Sequence, residues 1–246
     1  MMDQSELRGG SYHWWPPKKD HVILFKANPL RLDYFERFVG KWNGIKVLNV
    51  GCGGGYACEH LARCQAVVSG TDILEESLRE ARDHAMQGNL RIDYSLCSAE
   101  RLPYDDDVMD SVTCLDVLEH IPDKQTTLSE IYRVLKPGGW LFLDTLSKTF
   151  WSKLLTIWLG EVLLRLIPRG THDCRYFISP EDLRRLIETA GLTETRFAGI
   201  RLDWRRRNEG GLPARISPEG NTTIIYFGAA MKPNSPEKEA GRDVQT

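Results

Sequence analysis

The feature that most constrains this chain is a β-branched run that breaks into glycines: Lys46-Val-Leu-Asn-Val50, then Gly51-Cys52-Gly53-Gly54-Gly55. Glycine enters backbone conformations closed to other residues, and without a Cβ it lets amide N–H groups approach a ligand closely. A helix expected over 56–63 adds the positive end of its dipole at the same place. One strand later, Ala66-Val-Val-Ser-Gly-Thr-Asp72 ends on a carboxylate that can accept hydrogen bonds from both hydroxyls of a ribose. Strand, glycine turn, helix, strand and acid together predict a nucleotide-binding crevice.

The alternation continues along the chain. A helix is expected over 75–87, stopped by Gly88, followed by strands over 92–97 and 111–115. Leu128, Ile131 and Leu135 recur at helical spacing across 124–135, and Pro137-Gly138-Gly139 ends that run. The next strand is expected over 140–145. Such β-α alternation predicts a parallel sheet covered on both faces. Ser179-Pro180-Glu181-Asp182 then reads as a helix start, with a capping serine, a first-turn proline and acids at the positive dipole end. That helix stops at Gly191, and strands over 194–200 and 222–230 follow, separated by a basic loop. The chain divides into an N-terminal arm (1–27), one α/β domain (28–231) with a helical insertion (147–178), and a tail (232–246). The tail has almost nothing to bury, so disorder is expected there.

With 246 residues, 41% hydrophobic and 27% charged, the chain has the make-up of one large globular domain. Its formal net charge of -2 gives no general attraction to nucleic acid, and none is expected as a partner. The local basic cluster Arg201, Arg205, Arg206 and Arg207 reads as a solvated loop. The cysteines Cys52, Cys58, Cys64, Cys97, Cys114 and Cys174 form no C-x-x-C pair, as expected of reduced thiols in a cytoplasmic protein. No signal-peptide run opens the sequence. The most apolar stretch, 150–167, is interrupted by Lys153, Glu161 and Arg165, so it is not expected to span a bilayer.

The glycine loop alone leaves two ligands open. Dinucleotide enzymes use similar geometry, but their G-x-G-x-x-G fingerprint wants a third glycine where this chain has Tyr56. A ligand without pyrophosphate does not need that third close approach. Four later segments break the tie by their order. They are Val47-Leu-Asn-Val-Gly-Cys-Gly-Gly-Gly55, Ser98-Ala-Glu-Arg-Leu-Pro103, Asp110-Ser-Val-Thr-Cys-Leu-Asp-Val-Leu-Glu-His-Ile-Pro122 and Val134-Leu-Lys-Pro-Gly-Gly139. Together they resemble the motif series of the S-adenosylmethionine-dependent, seven-stranded class I methyltransferases. The resemblance implies a Rossmann-like, doubly wound α/β sheet, mostly parallel with an antiparallel last strand. It also implies cofactor roles by position: Gly51 and Gly53 at the methionine end, Asp72 on the ribose, Ala99 and Glu100 beside the adenine, Leu115 lining the pocket. Asn49 departs from the series, standing where many members carry an acid, which implies weaker electrostatics toward the cofactor.

Asn28-Pro-Leu-Arg-Leu32, Leu118-Glu-His-Ile-Pro-Asp123 and Gly170-Thr-His-Asp173 with Phe177-Ile-Ser-Pro180 narrow the likeness. They resemble the ubiquinone-biosynthesis O-methyltransferases, which methylate phenolic hydroxyls on prenylated rings. By position Arg31 then contacts the cofactor carboxylate, a pairing arginine makes well; the alternative is an exposed surface arginine. The likeness covers about 14–199 and fades after Gly199, in a region that often shapes the acceptor pocket.

A phenol has an ordinary pKa of about 10, so its methylation needs a base or a nearby cation. His120, at the carboxyl edge just after the fourth strand, is the leading candidate for the base. Asp116, Glu119 and His120 stand at i, i+3 and i+4, so a helical turn there would put them on one face. Two carboxylates and an imidazole could then hold a divalent cation such as magnesium. A purely structural turn is the third reading. His172 and Asp173 either meet the acceptor or fix their loop. In the insertion, Trp151, Leu155, Trp158, Val162 and Leu166 form an uncharged helical stripe, with Lys148, Lys153, Arg165 and Arg169 around it. It reads either as a lid on the enzyme's own core or as an interfacial helix on an anionic membrane, which would make the protein peripheral. Two further functions share these residues: C- or N-methylation in specialised metabolism, and a catalytically silent adenosyl-binding, membrane-associated protein. Asp72, Glu119 and His120 are all present, which favours an enzyme.

Overall fold

Neighbouring residues of a strand point to opposite faces, so strands covered on both sides must be apolar almost throughout. Val47, Leu48 and Val50 satisfy that demand, as do Leu141, Phe142 and Leu143; all six are buried. The computed structural model describes residues 14–17, 22–149, 152, 176–203 and 214–234. Helix α1 (Val22–Val39) leads into β1 (Lys46–Val50), α2 (Tyr56–Arg63), β2 (Val67–Asp72), α3 (Glu75–Gln87), β3 (Ile92–Leu96) and β4 (Met109–Cys114). A 3-10 turn (Leu118–His120) precedes α4 (Lys124–Val134) and β5 (Leu135–Leu146). Then come α5 (Pro180–Thr189), β6 (Thr193–Leu202), β7 (Ala214–Ser217) and β8 (Asn221–Met231).

The strands form one sheet in the order β3-β2-β1-β4-β5-β8-β6-β7. Pairs β1–β2, β2–β3, β1–β4 and β4–β5 are parallel, whereas β8 runs antiparallel between β5 and β6. The winding therefore reverses between β1 and β4, and in such sheets the ligand crevice opens at the carboxyl ends of those strands. The doubly wound α/β sheet and its antiparallel last strand agree with the sequence expectation.

Two cores flank the sheet. One gathers Phe35 and Trp42 with Leu61, Leu78, Val47 and Phe142, from the side of α1, α2 and α3. The other joins Leu128, Ile131 and Ile187 to Leu48, Val112, Leu141 and Tyr226, from the side of α4 and α5. Both α4 and α5 begin as their sequences dictate. Asp123 caps α4 through Thr126 N–H at 3.0 Å, and Ser179 caps α5 through Asp182 N–H at 3.1 Å.

Four expectations need correction. The sheet has eight strands rather than seven. The extra one, β7, lies on the edge beside β6, in a stretch read as basic loop because four residues with an exposed Arg215 give too little period to detect. The Pro137-Gly138-Gly139 run does not separate helix from strand by a loop. Strand β5 passes straight through it, because Gly138 N–H bonds to Lys232 O and Lys232 N–H to Gly139 O. Position 28 is no domain boundary, since α1 is already under way at Val22. Lys232 is also part of the fold: it is buried, and its Nζ reaches Asp107 Oδ1 at 2.6 Å and Tyr132 O at 2.9 Å. Residues 235–246 of the expected tail lie outside the described residues.

Helix α1 is fixed to the sheet by aromatic packing, with Phe35 stacked on Phe142 at 4.7 Å between centroids. Phe35→Ala is expected to lower the unfolding free energy by about 3–5 kcal/mol, measured by denaturant titration.

Candidate active site

Parallel pairing brings the ends of four strands to one edge. Val50 is level with Thr71 and Cys114, and Asp72 is level with Leu96. The segments that leave this edge carry every cofactor residue expected from sequence except Arg31, which reaches the edge from α1.

The turn after β1 depends on glycine at particular points. Gly51 has φ +68°, and a Cβ there would lie 2.3 Å from the Val117 side chain. Gly53 and Gly55 are also left-handed, at φ +50° and +83°. The turn is tied to β2 by Cys52 N–H to Thr71 O at 2.8 Å. Asp72 is oriented by backbone amides: Oδ2 accepts from Gly53 N–H at 2.8 Å and Oδ1 from Leu74 N–H at 2.9 Å. Burial pushes its carboxyl above the usual range, and these amide bonds work against that rise. The result is a carboxylate aimed by backbone amides beside a glycine turn whose Cys52, Gly53 and Gly55 N–H groups are bonded within the protein. Across the crevice, Leu115 is buried just beyond β4 and Ala99 is half-buried beyond β3. Glu100 is exposed, its N–H bonded to Ser98 Oγ at 3.2 Å.

At the other side of the switch point lies a buried charge cluster. Arg31, only 3% exposed, reaches Asp116 Oδ2 at 2.5 Å and Asp144 Oδ2 at 2.7 Å through Nη1. Asp116 N–H also donates to Asp144 Oδ1 at 2.7 Å. Burial works against the guanidinium charge, but the two aspartates outweigh it and hold Arg31 ionised. Arg31 is thus no surface arginine, and it already binds two carboxylates at the end where a cofactor carboxylate is expected. Asp144 went unnoticed in the sequence; its signal was an acid inside the otherwise apolar 140–145 run.

Glu119 is buried and accepts from Thr145 Oγ1 at 2.8 Å. Burial, reinforced by Asp116, pushes its pKa up to about 8, which favours the protonated carboxyl over the charged one. His120 ends the 3-10 turn, half-buried, with its N–H on Val117 O at 2.9 Å. Next to it, Lys124 Nζ donates to Ile121 O at 2.7 Å and lies 5.3 Å from the Tyr176 ring centroid.

The expected magnesium ligands do not come together. Asp116 has φ +55° and precedes the 3-10 turn, so residues 116, 119 and 120 share no helical face. Asp116 is paired with Arg31, and Glu119 is turned inward onto Thr145. Among the described residues, no group of three His, Cys, Asp or Glu side chains is placed to hold a metal ion. These donors do not fit a divalent cation. His172, Asp173 and the 153–175 part of the insertion lie outside the described residues. Its two ends are anchored at this edge, with Ser147 bridged to Ile178 and Tyr226 Oη–H bonded to Ile178 O at 3.1 Å.

A methyltransferase-domain family matches residues 48–143, the stretch from β1 through most of β5. A ubiquinone biosynthesis O-methyltransferase of Bordetella avium is 35% identical over 94% of this chain and 95% of its own length. Its counterpart in Leptothrix cholodnii is 40% identical over 90% of this chain and 92% of its own. The chain belongs to the ubiquinone biosynthesis O-methyltransferase family. It is accordingly an S-adenosylmethionine-dependent O-methyltransferase. The fold has the same likeness: a protein from Pyrococcus horikoshii OT3 superposes with TM-score 0.63 at 18% identity, over 93% of this chain and 98% of that one. A protein from Bacillus halodurans C-125 gives TM-score 0.59 at 21% identity, over 82% of this chain and 99% of that one.

A carboxyl held protonated by the fold makes the native state bind protons more tightly than the unfolded chain. Its contribution is complete below its ordinary pKa of 4.5 and is lost as pH rises toward about 8. Melting temperature in this methyltransferase is expected to decline across that window, and Glu119→Gln to flatten the decline. A slope identical in wild type and variant would show that Glu119 is not the group responsible.

Proposed function

We propose that this enzyme methylates a phenolic hydroxyl on a small, prenylated aromatic acceptor of the quinone-precursor kind. The observation that carries this reading is the identity of 35–40% with ubiquinone biosynthesis O-methyltransferases over nine-tenths of the chain. The cofactor supplies an electrophilic methyl group on a sulfonium. In this reading Gly51, Gly53 and Asp72 hold it from the glycine turn and the end of β2, with Ala99 and Glu100 beside the adenine and Leu115 lining the pocket. Arg31 fixes the opposite side of the site through Asp116 and Asp144. His120 takes the proton from the acceptor hydroxyl, and the bound cofactor would supply the methyl group that the oxygen accepts. Holding hydroxyl and donor in register is the main task of the fold, and such positioning is worth about 7–11 kcal/mol. The Lys124 ammonium, three residues beyond the carbonyl it binds at Ile121, adds positive charge where a phenolate forms.

The apolar stripe expected over 150–167 follows β5 in the chain, and β5 ends at Leu146. No helix among the described residues is long and apolar enough to cross a membrane. In our reading the stripe meets an anionic bilayer peripherally and admits a greasy acceptor. Flotation with anionic liposomes should therefore carry the wild type upward and leave Trp151→Glu/Trp158→Glu behind. Equal flotation of the two would remove the stripe from the mechanism.

His120→Ala is expected to lower kcat on a catechol acceptor by about 10²–10⁴-fold, the usual share of a general base. The Kd for S-adenosylhomocysteine should stay at the wild-type value. Unchanged turnover would exclude His120 as the base, and an inert wild type across a catechol panel would overturn the acceptor class.

A further inference from the structure

The N-terminal arm makes contacts that neither the glycine motif nor the family resemblance assigned. Trp14 N–H donates to Glu80 Oε2 at 2.7 Å, and its indole N–H to Ser77 Oγ at 3.0 Å. Its carbonyl accepts from the Tyr56 hydroxyl. Trp15 donates its indole N–H to Gly54 O at 2.8 Å and stacks on His84 at 3.4 Å and 5°. It also meets Tyr56 and Phe25 edge-on, at 4.7 Å and 5.9 Å. The His84 ring beneath it is held by Glu59 at 2.5 Å.

These contacts bridge two particular elements. Gly53 and Gly54 belong to the turn after β1, whereas Ser77 and Glu80 belong to α3, which follows Asp72. The turn and α3 are the two walls between which the Asp72 carboxylate is presented. The fit to the turn is tight. A Cβ at Gly54 would lie 2.2 Å from Trp14 Cβ, and one at Gly53 would lie 2.7 Å from the indole ring. The glycines are therefore needed for the approach of a tryptophan as well as of a ligand.

We infer that Trp14 and Trp15 form the outer wall of the adenosyl pocket, and that the cofactor enters and leaves only when this clasp releases the glycine turn and α3. The inference rests on the reading that S-adenosylmethionine occupies the crevice at Gly51, Gly53 and Asp72. The Trp14 indole lies against Gly53, whose N–H binds Asp72 Oδ2, so a ligand on that carboxylate would meet the indole across the glycine turn. The clasp precedes α1 directly in the chain, and Phe25 of α1 packs on Trp15. Arg31, which holds Asp116 and Asp144, lies farther along the same helix. Closure over the donor and order at the reacting edge are thereby carried by one stretch of chain.

The test is the dissociation rate of S-adenosylhomocysteine by stopped flow, in wild type, Trp14→Ala and Gly54→Ala. Gly54 does not need a left-handed backbone, so alanine there displaces Trp14 without straining the turn. Both variants should release the ligand about tenfold faster, since aromatic and hydrogen-bonded closure acts mainly on the off-rate. In wild type, saturating ligand should also slow hydrogen exchange at the Trp14 and Trp15 amides. If Trp14→Ala fails to fold by circular dichroism, Ser77→Ala/Glu80→Gln replaces it, with the same acceleration expected. Wild-type off-rates in the folded variants, or exchange at 14–15 indifferent to ligand, would overturn the clasp. Absence of any S-adenosylhomocysteine binding by wild type would instead overturn the cofactor reading beneath it.

Discussion

Arg31 is a charge that the fold has withdrawn from water, and the reacting edge is organised around that fact. A buried guanidinium is costly unless its charge is matched and its donors are used. Asp116 and Asp144 supply the match, at 2.5 Å and 2.7 Å. One residue follows β4 and the other lies near the end of β5, so the pairing fixes α1 over the carboxyl ends of both strands. The left-handed backbone at Asp116, φ +55°, is held by its N–H bond to Asp144. Removing either partner would leave a buried charge uncompensated, which is far more damaging than losing an exposed ion pair.

This cluster also explains why Asp116, Glu119 and His120 are not arranged as a metal centre. A carboxylate already paired with arginine offers little to a cation, and a buried glutamic acid turned onto Thr145, its charge disfavoured by burial, offers less. His120 stays half-buried at the end of the 3-10 turn, and Lys124, four residues on, binds the Ile121 carbonyl. Under the proposed function this histidine is the group that takes the proton from a hydroxyl. The switch point between β1 and β4 then sets the geometry, with the glycine turn and Asp72 on one side and the Arg31–Asp116–Asp144 cluster on the other.

Around the donor, glycine serves two neighbours at once. The turn must expose amide groups and let Asp72 bond to Gly53, and it must also admit the Trp14 side chain. Within a methyltransferase family the first demand is general. The second is visible only because the arm returns across the turn and lands on α3. Catalytic positioning, in this view, is shared by a rigid sheet edge and a segment that the sequence places outside the domain.

Sequence alone determined the glycine turn, the acid at Asp72, the order of strands and helices, and the doubly covered parallel sheet. Those features are written in short-range terms: alternation, caps, and residues with special backbone freedom. Membership of the methyltransferase family was readable for the same reason, because its motifs are contiguous runs in a fixed order. Tertiary structure alone decided that Arg31 meets Asp116 and Asp144, partners 85 and 113 residues away in the chain. It also decided that Asp116, Glu119 and His120 do not converge, since one left-handed residue breaks the helical spacing on which that expectation stood. The clasp on Ser77 and Glu80, and the edge strand β7, belong with these. Each depends on strand register and on helices docking against a finished sheet, and no local pattern of residues encodes where two distant surfaces will meet.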